Sequence, residues 1–235
     1  MSVFRFRQFE IRQESSAMKV GTDAMVLGAI VKGSRPQSIL DIGTGTGVLA
    51  LMMAQKFPEA RIDAIDIDPS AAAEAQINAE NSPWSNRIRV YECDLRSFQS
   101  PEKYDLIVSN PPYFTKGLLN PDHSRALARH ESALPFQLLF SKVAELLCVE
   151  GVFWMIAPAT AKDELCAEAE RVNVWLNKHI AILGKEGGAP VRNVLSFSLN
   201  RSENSEGDTF AIRNEQGNYT DEYKALTMDF HGVKV

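Results

Sequence analysis

The chain has 235 residues, 45% of them apolar, with 25 Lys and Arg against 30 Asp and Glu for a formal net charge of −5. That length suits one α/β domain with short extensions rather than two large domains, and uninterrupted apolar stretches such as 48–54 and 152–159 fall far short of the roughly 20 residues that cross a bilayer. Three cysteines, Cys93, Cys148 and Cys166, form no CxxC pair, so a reduced, cytoplasmic protein with no membrane partner is expected.

An acidic balance ordinarily argues against a nucleic-acid partner, because phosphate contacts need Lys or Arg. The average conceals a gradient. Residues 59–105 hold ten acidic and five basic side chains, whereas residues 1–35 hold six basic and three acidic ones. One side of the molecule can therefore be basic while the whole is acidic, although an ordinary solvated surface accounts for the same counts.

In chain order, the opening MSVFRFRQFEIRQ alternates Arg and Gln with apolar residues and has no continuous apolar core, so it is not a secretory signal. Thr22 and Asp23 stand just before the apolar run 24–30, in position to cap a helix. Residues 38–41 read as a short strand that hands over to the glycine run 43–47. Residues 48–57 suit a buried helix. Residues 61–68, RIDAIDID, alternate with a period of two and predict a strand, after which Pro69 and Ser70 open an Ala-rich helix over 71–81. Residues 87–92 and 104–109 are further strands, the second running into Asn110-Pro111-Pro112-Tyr113. The spacing predicts a helix over 134–148 with Glu150-Gly151 as its C-cap, a buried strand over 152–157, a helix over 162–176, and strands over 179–183 and 191–199. Residues 202–208 are polar and read as an exposed loop. The tail from Thr209 offers one more strand, then a short terminal helix within 218–230. Trp84, Trp154 and Trp175 read as packing residues. This alternation of strands and helices argues for a doubly wound, mostly parallel sheet.

Three features carry chemistry. Asp41-Ile42-Gly43-Thr44-Gly45-Thr46-Gly47 sits where a strand passes to a helix, so its glycines allow close backbone approach and its amides face a ligand at a helix N-terminus. The dinucleotide fingerprint spaces its glycines differently, with the third one residue later, which disfavours a nicotinamide oxidoreductase. Asp66, at the end of the next strand, is placed to accept both hydroxyls of an unphosphorylated ribose; Asp68 competes for that role or caps the following helix. Asp94, after the third strand of the series, is placed to accept from an adenine amino group, against the alternative of a surface-loop Asp.

This series, DIGTGTG, then an acid after the second strand, an acid after the third and NPPY after the fourth, resembles the class I S-adenosylmethionine-dependent methyltransferases over about residues 20–199. NPPY narrows the likeness to the amino-methylating branch. FRFRQFEI, MKVGTD, NPPYF, ARHES and NYTDEYKALTMDF together resemble the bacterial tRNA(Val) adenine N6-methyltransferases over nearly the whole chain. The resemblance implies a Rossmann-like, seven-stranded, mostly parallel sheet. It implies a single domain over 1–235, with an N-terminal extension (1–35), a catalytic core (36–200) and a C-terminal extension (201–235). It implies S-adenosyl-L-methionine as cofactor, held by Asp41, Gly43, Gly45, Gly47, Asp66, Ile67, Asp94 and Leu95, with Thr22 and Asp23 at the methionine end. The substrate it implies is tRNA, methylated on the adenine beside the anticodon, with no metal and a monomer favoured.

The NPPY residue types suit that chemistry. An adenine amino nitrogen is planar with a delocalised lone pair, and transfer from a sulfonium moves positive charge onto it. Acceptors on Asn110 and on the Pro111 carbonyl localise the lone pair and stabilise that charge. Pro111 and Pro112 fix the backbone without a competing amide, and Tyr113 offers a ring for the base to stack on. A rigid turn with a packing tyrosine is the bland alternative. Arg5, Arg7, Lys116, Arg125 and Arg129 are candidate phosphate contacts, with His130 beside them and Phe114 as a possible extension of the stacking surface or core. His130 has only His123 near it, which is no metal set. A glutamine-amide methyltransferase of release factors carries the same NPPY logic but resembles a chain with a helical domain in front, and only about 40 residues precede Asp41 here. An rRNA guanine N2-methyltransferase, a DNA adenine enzyme and a non-catalytic cofactor-binding RNA chaperone are the remaining alternatives.

Overall fold

The structure, a computed structural model, describes residues 2–14, 19–111, 134–201 and 206–231. Strands β3 (Ser38–Ile42), β4 (Arg61–Asp66), β5 (Ile88–Glu92) and β6 (Tyr104–Ser109) lie parallel, joined on one face by α2 (Val48–Lys56) and α3 (Pro69–Glu80). The central strands β3 and β6 are apolar on both faces: Ile39, Leu40, Leu106, Ile107 and Val108 have no exposed surface, as a strand sandwiched between helices requires. Helix α3 starts where it does because Pro69 occupies its first turn and Asp68 accepts from Ser70 N at 2.8 Å.

After α4 (Phe136–Leu146) the sheet continues with β7 (Leu147–Pro158), parallel to β6. A short 3-10 turn, Ala159–Ala161, leads to α5 (Lys162–Glu170). Strands β8 (Trp175–Lys185) and β9 (Pro190–Ser198) follow, β9 running antiparallel between β7 and β8. The last strand, β10 (Glu206–Arg213), pairs parallel with β8, and α6 (Asp221–Thr227) closes the described chain, its start capped by Thr220 accepting from Tyr223 N. The sheet order is β10-β8-β9-β7-β6-β3-β4-β5. It has eight strands where the family resemblance implied seven; the eighth is the tail strand, which adds to the edge of β8.

Two cores flank the sheet. On one face α1 (Thr22–Ile30) packs with α2 through Leu27, Met52 and Met53. On the other, Phe140 of α4 meets Phe153 and Phe197 edge-on at 5.9 and 5.0 Å. A two-stranded hairpin, β1 (Val3–Arg5) and β2 (Glu10–Arg12), was not expected from the sequence. It is held by Phe6 stacked on Phe9 at 4.2 Å and by Phe9 against Trp84. Trp154 is buried and its indole N–H donates to Lys32 O, while Trp175 is half-buried beneath the Arg201 guanidinium.

Several boundaries differ from the sequence expectation: β10 opens at Glu206, inside the expected loop 202–208, and β8 opens at Trp175 rather than at 179. Helix α4 ends at Leu146, two residues early, and Gly151 caps nothing. It lies inside β7, where an added Cβ would meet the Leu147 side chain at 2.8 Å and Tyr104 O at 2.9 Å. The glycine is needed for close approach beside a register shift between β6 and β7. Helix α5 ends at Glu170 rather than 176, because Asn173 adopts φ +58° and Val174 N returns to Ala169 O.

Candidate active site

The carboxyl ends of β3, β4, β5 and β6 meet on one edge, and β3 is where the sheet order reverses, with β4 on one side and β6 on the other. Gly43, Gly45 and Gly47 have φ of +70°, +57° and +82°. A Cβ on Gly43 or Gly45 would meet nothing within 4 Å, whereas one on Gly47 would meet Ala75 of α3 at 3.3 Å. The first two therefore face open space over the loop, and the third lets the loop lie against a helix. Gly43 N and Thr44 N both donate to Ile65 O, and Gly45 N donates to Asp66 Oδ2 at 2.8 Å.

The two acids at the end of β4 divide their tasks. Asp66 is half-buried, and its other oxygen accepts from Asp68 N; burial pushes its carboxyl above the ordinary value. Asp68 caps α3. Asp66 is thus the acid turned toward the glycine loop. Ile67 beside it is 48% exposed, a large apolar side chain on the rim of a polar loop.

Asp41 has no exposed surface. Its Oδ2 accepts from Thr44 Oγ1 at 2.6 Å and from Ala50 N at 3.1 Å, which ties the strand end to the loop and to the first turn of α2. Its Oδ1 is buried with no hydrogen-bond partner among the described residues. Burial raises its pKa from 3.8 to about 7. Asp41 organises the loop from beneath.

Asp94 gives one oxygen to Arg96 N and the other to the Arg96 guanidinium, and that hydrogen bond holds its carboxyl below the ordinary value. Receiving an amino group there requires exchange of that partner. Leu95 is buried under the same turn.

Ser109 Oγ donates to Ile42 O at 2.8 Å, which pins the end of β6 to the end of β3. The next residue, Asn110, therefore stands beside Gly43; it is half-buried, and Pro111 after it is buried. Pro112 and Tyr113, and with them Phe114, Lys116, Arg125, Arg129 and His130, lie outside the described residues. Arg5 is exposed and paired with Glu10 across the hairpin at 3.0 Å, and Arg7 is exposed.

Thr22 and Asp23 do not cap a helix. The residue before α1 is Gly21, with no side-chain cap. Asp23 Oδ2 instead accepts from Arg192 Nε at 2.8 Å, and both residues line a cleft with Arg192, Arg213 and Tyr219. Among the described residues no group of His, Cys, Asp and Glu is placed to hold a metal ion.

Sequence reasoning missed Asn78. It is 2% exposed, and its amide donates to Thr46 O and to Arg12 O while accepting from Arg12 N, all at 2.9 Å. One side chain thus joins the glycine loop, α3 and the N-terminal hairpin. The available signal was an Asn inside an Ala-rich helix, where it is a poor helix former.

The methyltransferase small domain family matches residues 16–164. The tRNA1(Val) (adenine(37)-N6)-methyltransferase of Bacteroides thetaiotaomicron is 40% identical over 229 residues, 97% of this chain and 96% of the relative. That of Phocaeicola vulgatus is 42% identical over 97% of each. Among solved structures, a predicted O-methyltransferase from Agrobacterium tumefaciens superposes with a TM-score of 0.64 at 17% identity, covering 90% of this chain and 98% of that one.

Proposed function

The chain belongs to the methyltransferase small domain family and, within it, to the tRNA1(Val) (adenine(37)-N6)-methyltransferases, and from that premise we infer that it methylates N6 of adenine 37 in tRNA1(Val). The observation that carries this is likeness at about 40% identity along nearly the whole length of both chains, extensions included. The methyl donor is S-adenosylmethionine, which supplies an electrophilic methyl group when bound. The described residues fit it on two points: the open space over Gly43 and Gly45, and the exposed Ile67 next to the Asp66 carboxylate.

In our reading Gly43 and Gly45 admit the cofactor to the backbone, Asp66 receives its ribose hydroxyls, and Ile67 and Leu95 border its base. Asn110 and the Pro111 carbonyl accept the two amino hydrogens of the target adenine. This localises the lone pair on nitrogen and stabilises positive charge as it arrives there. Tyr113 offers its ring to the base, a contact worth roughly 1–3 kcal/mol. Adenine in a loop is already partly unstacked, so turning it into the site costs only a few kcal/mol at most. We further propose one catalytic domain, core 36–200 with extensions 1–35 and 201–235, acting as a monomer in the cytoplasm. No helix among the described residues is long and apolar enough to cross a membrane.

Incubation of the protein with methyl-labelled S-adenosylmethionine, bulk tRNA and a release factor tests the function. Label is expected as N6-methyladenosine in tRNA1(Val). Label in protein, or in guanine, overturns it.

A further inference from the structure

We propose that the cleft between α1 and the β8–β9–β10 end of the sheet docks the RNA strand of the substrate, holding a backbone phosphate on Arg213 and Arg192 a few nucleotides from the target adenine. This rests on the tRNA-methylating reading and extends it.

Position comes first. Arg192 pairs in register with Pro158 at the carboxyl end of β7, and Arg213 with Lys185 at that of β8. Because β6, β7, β8 and β10 all point the same way, both arginines stand on the edge that carries Asn110. With neighbouring strands about 4.8 Å apart, β9 and β10 lie roughly 10 and 20 Å from β6, the reach of a short stretch of RNA whose base enters the site.

The cleft encloses about 290 Å³. Its floor is apolar, from buried Val26, Ile156 and Ile182, and its rim carries Arg192, Arg213 and Tyr219 with Asp23, whose carboxylate pairs with Arg192 and leaves the charge of Arg213 in excess. An apolar floor with a cationic rim suits a nucleotide, whose base and ribose are flat and weakly polar and whose phosphate is charged.

Both arginines are held in place by protein. The Arg213 guanidinium lies 4.4 Å over the Tyr219 ring, and Tyr219 is stacked on buried Tyr223 at 4.7 Å and 16°. Arg213 Nη1 donates to Gly217 O at 2.7 Å. Among the described residues its partners are a ring and a carbonyl, and neither cancels its charge. Arg192 donates to Asp23 and to Val191 O. Each guanidinium has five N–H donors in a planar fork matched to phosphate oxygens, and these bonds use one on Arg213 and two on Arg192. A side chain already fixed loses little further freedom on binding, and the outer guanidinium face of the stack is a surface on which a base can lie.

Titration of a tRNA1(Val) transcript by fluorescence anisotropy at several salt concentrations, with methylation kinetics alongside, tests the proposal. Arg213→Gln is expected to weaken tRNA binding about tenfold and to lower the slope of log affinity against log salt by about 1. The kinetic loss should fall on KM rather than kcat, and cofactor affinity by calorimetry should stand. Arg213→Lys should keep the salt slope. Arg61→Gln makes the same charge change at the amino end of β4 and should shift tRNA affinity less than twofold. If Arg213→Gln fails to fold, Arg192→Gln takes its place. Unchanged tRNA affinity and slope in the cleft variants, or an equal loss in Arg61→Gln, overturns the proposal while methylation by the parent stands. Altered self-association in sedimentation with tRNA affinity intact overturns it in favour of a second copy. A parent that methylates no tRNA adenine overturns the function and this docking site together.

Discussion

Gly43, Gly45 and Gly47 share a positive φ but face different neighbours. Only Gly47 is pressed by protein, from Ala75; the other two are left-handed over open space. Asn110 owes its place to its predecessor, since Ser109 bonded to Ile42 O holds the strand end beside the loop. Asn110→Ala is expected to lower kcat by on the order of 100-fold or more, the scale of losing an aimed dipole, with cofactor binding by calorimetry within a few-fold. Loss of cofactor binding as well would show that Asn110 has been given the wrong role. Most of these residues were legible in the sequence because glycine spacing and a proline pair restrict the backbone locally. The preference for Asp66 over Asp68 was also reached there, but the bonds to Gly45 N and Ser70 N that separate their tasks appear only in the folded chain.

At the scale of elements, α3 does more than cover the sheet. Through Asn78 it anchors both the glycine loop and the N-terminal hairpin. Asn78→Ala leaves three buried or half-buried backbone groups without that amide, so a loss of about 3 kcal/mol is expected, together with several-fold weaker cofactor binding. Thermal unfolding and calorimetry read the two effects; full stability with weakened binding, or the reverse, would separate loop from scaffold. Element type was predicted well from periodicity, while ends were not. Helix α4 gives way to β7 at Leu147 because that residue pairs with Tyr104 of β6, a contact that spacing along one segment does not reveal. The hairpin escaped notice because its strands are three residues each.

Across the whole molecule the two extensions meet. Arg7 N donates to Phe230 O, and Phe6 bridges to His231, so backbone bonds tie head to tail. Stability should depend on pH through the buried acids. Asp41 has a folded pKa of about 7 against an ordinary 3.8, and Asp66 is raised as well. Between those values the folded state binds more protons than the unfolded one, so their contribution to stability is full below the ordinary 3.8 and falls as pH rises through about 7. Measured without cofactor, wild type should lose about 2 kcal/mol relative to Asp41→Asn between pH 5 and 7. Parallel unfolding curves for the two proteins across that range would rule out Asp41 as the source.

What the sequence determined by itself was the local part: a glycine loop after a strand, an acid at the end of each of the next two strands, a proline-pinned Asn after the fourth, and a doubly wound order. These follow from backbone sterics and from periodicity over a few residues, so they can be read without the fold. The tertiary structure alone decided which groups meet across distance. Asp23 and Arg192 are 169 residues apart, and Asn78 grips a loop 32 residues away. Such pairings depend on strand order and register, which the burial of many weak apolar contacts sets collectively rather than any short stretch of chain.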